Sequence, residues 1–199
     1  MKALETLYNG RRFRSRLEAR WAVFYDALGI PYAYEPEGFD LDEAGWYLPD
    51  FYLPTLDVWI EIKGAKPTDP EIDRAFALAK HSNKDVYIFW GYIEIPNPDR
   101  DWDYSEIPQG LALYSPNTDG WQGTNPWCWW CQCPKCRSIG IRFWGYADRL
   151  GCNCGIPHDT YVDTPDLRRA YDLATSARFE RGETPVPTNI YSLYPSGAA

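Results

Sequence analysis

All six cysteines of this 199-residue chain fall between Cys128 and Cys154. They run Cys128-x2-Cys131-x-Cys133-x2-Cys136 and then, fifteen residues on, Cys152-x-Cys154. Thiols gathered this tightly restrict what the surrounding segment can become. A C-x2-C pair on a tight turn is one half of a ribbon. A second pair beyond a hairpin supplies the other half, and four thiolates then surround a tetrahedral Zn²⁺. Between the pairs, Ile139, Ile141 and Phe143 alternate as a hairpin strand should. The spacing selects Cys133, Cys136, Cys152 and Cys154 as ligands, with Cys128, Cys131 and His158 as possible replacements. A site so rich in thiolate has no open position, so this zinc is expected to brace the fold. A redox C-x-x-C is disfavoured, because no thioredoxin-like strand and helix surround it.

No secretory leader opens the chain and no apolar run reaches membrane-spanning length. The expected location is the cytoplasm, where clustered cysteines mean metal rather than disulfides. The length allows one well-packed domain with a small appendage. Hydrophobic residues at 45% argue for a folded protein. A net charge of −8 runs against the usual profile of a nucleic-acid binder. Yet Arg11, Arg12, Arg14, Arg16 and Arg20 lie within ten residues. They form either a solvated helix face or a phosphate-binding patch, and some of the excess acid can be cation ligands counted as bare charge. With only His81 and His158 present, a serine or cysteine triad has little to draw on. No glycine-rich phosphate loop appears, which excludes a nucleotide cofactor from the expectations.

Hydrophobic spacing predicts a helix over 15–29, closed by Gly29, then strands over 46–53 and 56–63 joined by a short Pro-containing turn. In the second strand Leu56, Val58, Ile60 and Ile62 point one way, and Asp57, Trp59, Glu61 and Lys63 the other. A helix capped by Asp69-Pro70 runs to about His81, and a buried strand spans 85–90. This order describes an α/β fold. Residues 92–127 read as a long connection with one strand at 111–114, and a last helix covers 165–181 with Leu167, Tyr171, Ala174 and Phe179 as contacts. The expected divisions are a core over 1–115, a zinc ribbon over 116–163, a helix over 164–182 and a loose tail over 183–199.

Four residues stand out on these elements. Asp50 follows Pro49, Glu61 lies eleven positions later on the next strand, and Lys63 shares a face with Glu61. Carboxylates on neighbouring strands can hold Mg²⁺ through oxygen, and a lysine beside them can position or deprotonate an attacking water. Glu18 has two competing uses. Ser15-Arg16-Leu17-Glu18 is a capping box, which would turn Glu18 back on the helix start. Alternatively Glu18 faces the strands and joins the acidic set. Glu35 and Glu37 could support the site or sit on the surface.

The stretch from Phe13 to Gly64, with FRSRLEARWAVFYDALGIPYAYEPEGF, YLPDFYLP and VWIEIKG, resembles the PD-(D/E)XK nuclease superfamily. It is most similar to the phage endonuclease I type of Holliday-junction resolvase. The resemblance covers about the first 90 residues. It implies a restriction-endonuclease-like mixed sheet flanked by helices. It further implies Asp50 and Glu61 as ligands of Mg²⁺ or Mn²⁺, Lys63 as the catalytic lysine and Glu18 as the acid from the first helix. Double-stranded or branched DNA is the implied substrate, a homodimer the implied means of cutting two strands, and a phage or mobile element the implied source. Arg11, Arg12, Arg14 and Arg16 would then meet the phosphate backbone. The rival expectation is a non-catalytic zinc ribbon that binds nucleic acid or protein on a nuclease scaffold.

Overall fold

The computed structural model describes residues 4–95, 110–113, 124–143, 146–147, 152–155 and 164–179. Its first element is a hairpin of β1 (Thr6–Tyr8) and β2 (Arg11–Phe13), which hydrophobic spacing alone overlooks. The signal is Asn9-Gly10. Both residues take left-handed backbone, at φ 48° and 75°, as the two-residue turn that matches strand twist requires. Helix α1 (Arg16–Leu28) follows, with Ser15 as its N-cap and Gly29, at φ 65°, as its C-cap. One side of α1 is apolar almost throughout, and Trp21, Phe24, Tyr25 and Leu28 are all buried.

Among the described residues the main sheet has eight strands. Along the chain these are β3 (Ala33–Tyr34), β6 (Phe51–Leu53), β7 (Val58–Lys63), β8 (Val86–Trp90), β9 (Gly110–Leu113), β10 (Thr124–Gln132), β11 (Ile139–Phe143) and β12 (Tyr146–Ala147). They lie side by side in that same order. Among the described strands only β7 and β8 are parallel, and α2 (Asp69–Ser82) makes the crossover between them. A parallel pair needs such a connection, because a tight turn can only reverse the chain. Outside the sheet, β4 (Phe39–Asp40) and β5 (Trp46–Tyr47) form a two-stranded arm.

The expected strand over 46–53 is therefore two elements. Pro49 has no N–H to give to a ladder, so β5 pairs with β4 and β6 restarts beyond it against β7. The cap of α2 moves one place from expectation, to Thr68, whose N–H and hydroxyl both reach the Glu71 carboxylate at 2.8 and 2.7 Å. The final helix, α3 (Pro165–Ser176), ends before 181 because Ala177 turns to extended backbone at ψ 125°. Phe179 still packs as expected of it, edge-on to Tyr8 with ring centroids 6.0 Å apart.

The alternation along β7 divides two cores. Val58, Ile60 and Ile62 join Tyr87, Phe89 and Ala112 in the layer covered by α1 and α3. Trp59 joins Val86, Ile88, Leu111 and Leu113 in the layer covered by α2. The molecule is thus a mixed sheet with helices on both faces. The strand that carries Cys128 and Cys131 pairs with β9, so the sheet runs unbroken across the expected boundary at residue 115. Trp130 on that strand is fully buried, and its ring lies 5.7 Å from Phe24 and 6.0 Å from Phe89. The tail beyond 183 and His158 lie outside the described residues. Among the described residues no helix is long and apolar enough to cross a membrane.

Candidate active site

Asp50 immediately precedes β6, and Glu61 sits near the end of β7, its antiparallel neighbour. The pairing Phe51↔Ile60 sets the two carboxylates side by side. The Asp50 amide donates to Glu61 Oε2 at 3.4 Å, and the Ile62 amide donates to Asp50 Oδ2 at 2.7 Å. Lys63 Nζ donates to Glu61 Oε1 at 2.6 Å and lies 3.7 Å from Glu71 Oε1. Asp50 and Glu61 are only 2% and 3% exposed. Burial of this kind is costly for a carboxylate unless charge or hydrogen bonds compensate. The Asp50 pKa accordingly rises well above its ordinary value, through burial first and then through repulsion by Glu61 and Glu18. For Lys63, burial favours the neutral amine, but Glu61, Asp50 and Glu71 outweigh it and the pKa rises.

Glu18 serves the helix start and also borders this site. Its carboxylate accepts the Ser15 hydroxyl at 2.7 Å, the Arg14 amide at 3.0 Å and the Tyr34 hydroxyl at 2.6 Å. The cap is closed through the Ser15 hydroxyl, which also accepts the Glu18 amide at 3.2 Å. The Glu18 charge is felt at Asp50. Even so, Glu18, Asp50 and Glu61 are not drawn together into one compact set of ligand atoms. Glu18 stands beside the Asp50–Glu61 pair.

Arg14 is the arginine that enters the site. Its Nη2 donates to Asp50 Oδ1 at 2.5 Å, and its Nε pairs with Glu35. Arg11 lies over the Tyr32 ring at 5.8 Å, Arg12 lies 3.8 Å from Glu5 in open solvent, and Arg16 begins α1. Two hydroxyls that sequence patterns did not single out complete the surroundings. Tyr34 bridges Glu18 and the Arg14 amide, and Tyr47 hydrogen-bonds Glu61. Tyr34 directly precedes Glu35, but nothing local in the sequence marks a tyrosine hydroxyl as a site group.

Three nearly buried carboxylates thus meet two cations, Arg14 and Lys63. That excess of negative charge, with oxygen donors only, fits a hard divalent cation held by Asp50 and Glu61. Asp50 Oδ1 accepts from Arg14 and Oδ2 from the Ile62 amide, while Glu61 Oε1 accepts from Lys63 and Oε2 from the Asp50 amide. A carboxylate oxygen carries two lone pairs, so hydrogen bonding of this kind is compatible with a cation.

The cysteine cluster lies at the end of β10. Cys133, Cys136, Cys152 and Cys154 bring their sulfurs within 4.8 Å of one another. Among the described residues they are the one group of three or more potential ligands packed so closely. These four cysteines can hold a structural metal ion such as zinc. Contacts with the Ser138 hydroxyl and amide bring the Cys136 thiol down to about 6, while the neighbouring sulfurs push Cys154 up to about 12 and Cys152 also rises. The cluster therefore favours one thiolate over several until a cation shares their charge. The turn between Cys133 and Ser138 is closed by a 2.8 Å bond from the Cys133 amide to the Ser138 carbonyl, with Arg137 at φ 63°. Cys128 and Cys131 stay out of the cluster. Cys128 is in the main core, so close to Gly110 that a Cβ there would come within 2.4 Å of its sulfur. Cys131 packs as a buried apolar neighbour of Cys133.

Comparison with protein families, with curated proteins and with solved structures finds no match.

The tryptophans and arginines around the cluster divide. Trp130 fills the core, and Trp129 packs half-buried against the cysteines. Arg137 Nε donates to Asp166 of α3 at 2.9 Å, and Thr164 donates to the buried Gln132. The cluster is fastened to the last helix. Trp127 and Arg142 have side chains outside the described residues.

Proposed function

We propose that this protein is a metal-dependent nuclease of the PD-(D/E)XK type, hydrolysing phosphodiester bonds in double-stranded or branched DNA. The observation that carries the reading is the meeting of Asp50, Glu61 and Lys63 at one strand pair, two buried carboxylates beside one ammonium. Asp50 and Glu61 would hold Mg²⁺ or Mn²⁺. When bound, such an ion lowers the pKa of water and neutralises charge on the pentavalent phosphorus. The protein groups do the rest. Lys63 is kept cationic by Glu61 and Glu71, so it acts as an electrostatic and orienting group for the attacking water. Asp50 is fixed by the Ile62 amide, which aims its carboxylate across the strand pair. Glu18 adds negative potential from beside the pair and helps to hold a cation there. The cysteine cluster is read as a zinc brace. Cutting both strands of a duplex takes two such sites, and hence two copies of the chain.

The test is cleavage of supercoiled plasmid and of a four-way junction with Mg²⁺, Mn²⁺ or EDTA, comparing wild type with Lys63→Ala. The expected result is metal-dependent cutting that falls by about 10²–10³-fold in a folded Lys63→Ala protein. No cutting of DNA or RNA by folded, zinc-loaded wild type would sink the reading and favour a zinc-bearing binding module.

A further inference from the structure

Arg14 differs from the other arginines of its run, because it sits on the very carboxylate that the proposed cation needs. Its Nη2 bonds Asp50 Oδ1 at 2.5 Å while its Nε holds Glu35. Its side chain is nonetheless 52% exposed, whereas that of Asp50 is 3% exposed. The guanidinium therefore stands at the mouth of the site, one edge on the buried acid and one edge toward water. A divalent cation on Asp50 would compete with Arg14 for that oxygen and repel it by charge. The planar fork that fits a carboxylate fits a phosphate equally well.

We propose that Arg14 exchanges partners. It neutralises Asp50 until a divalent cation takes that carboxylate, and then turns outward to a phosphate of the substrate backbone. The inference rests on the nuclease reading of this site. Glu35 acts as the tether that keeps the freed guanidinium at the entrance. Cation and nucleic acid then help each other to bind, because each displaces the contact that opposes the other. Linkage makes that help reciprocal.

The experiment titrates Mn²⁺ calorimetrically into the full-length, zinc-loaded protein without nucleic acid, with Asp50→Asn as the control that marks the carboxylate site. Arg14→Ala is expected to bind Mn²⁺ at least about fivefold more tightly than wild type. Arg14→Lys, which keeps the charge but makes one contact in place of the fork, is expected to fall between and serves if Arg14→Ala does not fold. A second measurement uses a phosphorothioate duplex that resists cleavage. Mn²⁺ should strengthen its binding to wild type by a clearly larger factor than its binding to Arg14→Ala, which keeps only the gain from the metal's own charge; equal factors overturn the exchange. Equal or weaker Mn²⁺ binding by the folded variants overturns the exchange, whatever the cleavage assay shows. An absence of plasmid cutting by wild type overturns the nuclease reading, whatever the titration shows.

Discussion

At Asp26 the fold keeps a carboxylate where burial works against its charge. Its pKa is raised by burial, against the opposing pull of the Tyr8 hydroxyl at 2.9 Å from β1 and of Arg11 on β2. Tyr32, across from α1, is the other titratable group that feels it. A folded-state pKa above the unfolded value means that the folded protein binds the proton more tightly. This contribution to stability is full below the unfolded pKa and is lost as pH rises through the folded one. Asp26→Asn keeps an acceptor for Tyr8 and removes the charge. It should therefore be more stable than wild type at pH 7, with the gap closing toward pH 4, in urea melts at the two pH values. A gap that widens in acid would reverse the sign assigned to Asp26. Residue-scale chemistry was partly open to sequence reasoning. Asp50, Glu61 and Lys63 stood out because eleven positions and a two-residue step place them on one strand pair. The partners of Arg14 did not, since Asp50 lies 36 residues away and no local pattern encodes such a contact.

Among the elements, β10 joins two tasks. Its inward side puts Trp130 against Phe24, Tyr25 and Phe89, and its far end delivers Cys133 to the cluster. Trp130→Ala is expected to cost about 3–5 kcal/mol, the usual range for removing a buried aromatic. The same variant in a freestanding ribbon would leave the stability of the main core untouched. Denaturant melts followed by far-UV circular dichroism distinguish the two, since most helix and strand lies outside the ribbon. Elements with strong periodicity were legible: α1, α2, β7 and β8 sit within a residue or two of where spacing puts them. Less was legible where a single residue overrides periodicity. Pro49 cuts one expected strand into β5 and β6, and Asn9-Gly10 builds a hairpin too short for any period to show. The continuity of β9 with β10 was hidden for a third reason. Residues 92–127 are rich in turn-forming types, and such a stretch says nothing of which strand its far end will join.

On the scale of the whole molecule, the cysteine cluster and the acidic pair belong to one continuous sheet, with β10, β9 and β8 between the cluster and β7. The Thr164–Gln132 and Arg137–Asp166 contacts tie the cluster to α3 as well, and α3 packs on α1 through Tyr171 and Phe24, whose centroids are 4.7 Å apart. Stripping metal from the four cysteines with a strong zinc chelator should therefore lower Tm in a single transition, with tryptophan fluorescence and far-UV circular dichroism moving together. Two separated transitions would show that the cysteine segment melts by itself. The strand order carries a further consequence for how such a chain is made. Within the main sheet, each described strand lies next to the sheet strand synthesised before it, with only the β4–β5 arm intervening, so the sheet can lengthen edge by edge as the polypeptide leaves the ribosome. Among the described residues, the aromatic flank built on Phe24 and Trp130 gains its last cover with Thr164–Phe179. A nascent chain stalled before that helix leaves Phe24 without Tyr171 beside it, and the uncovered aromatic rings become a place for aggregation to start.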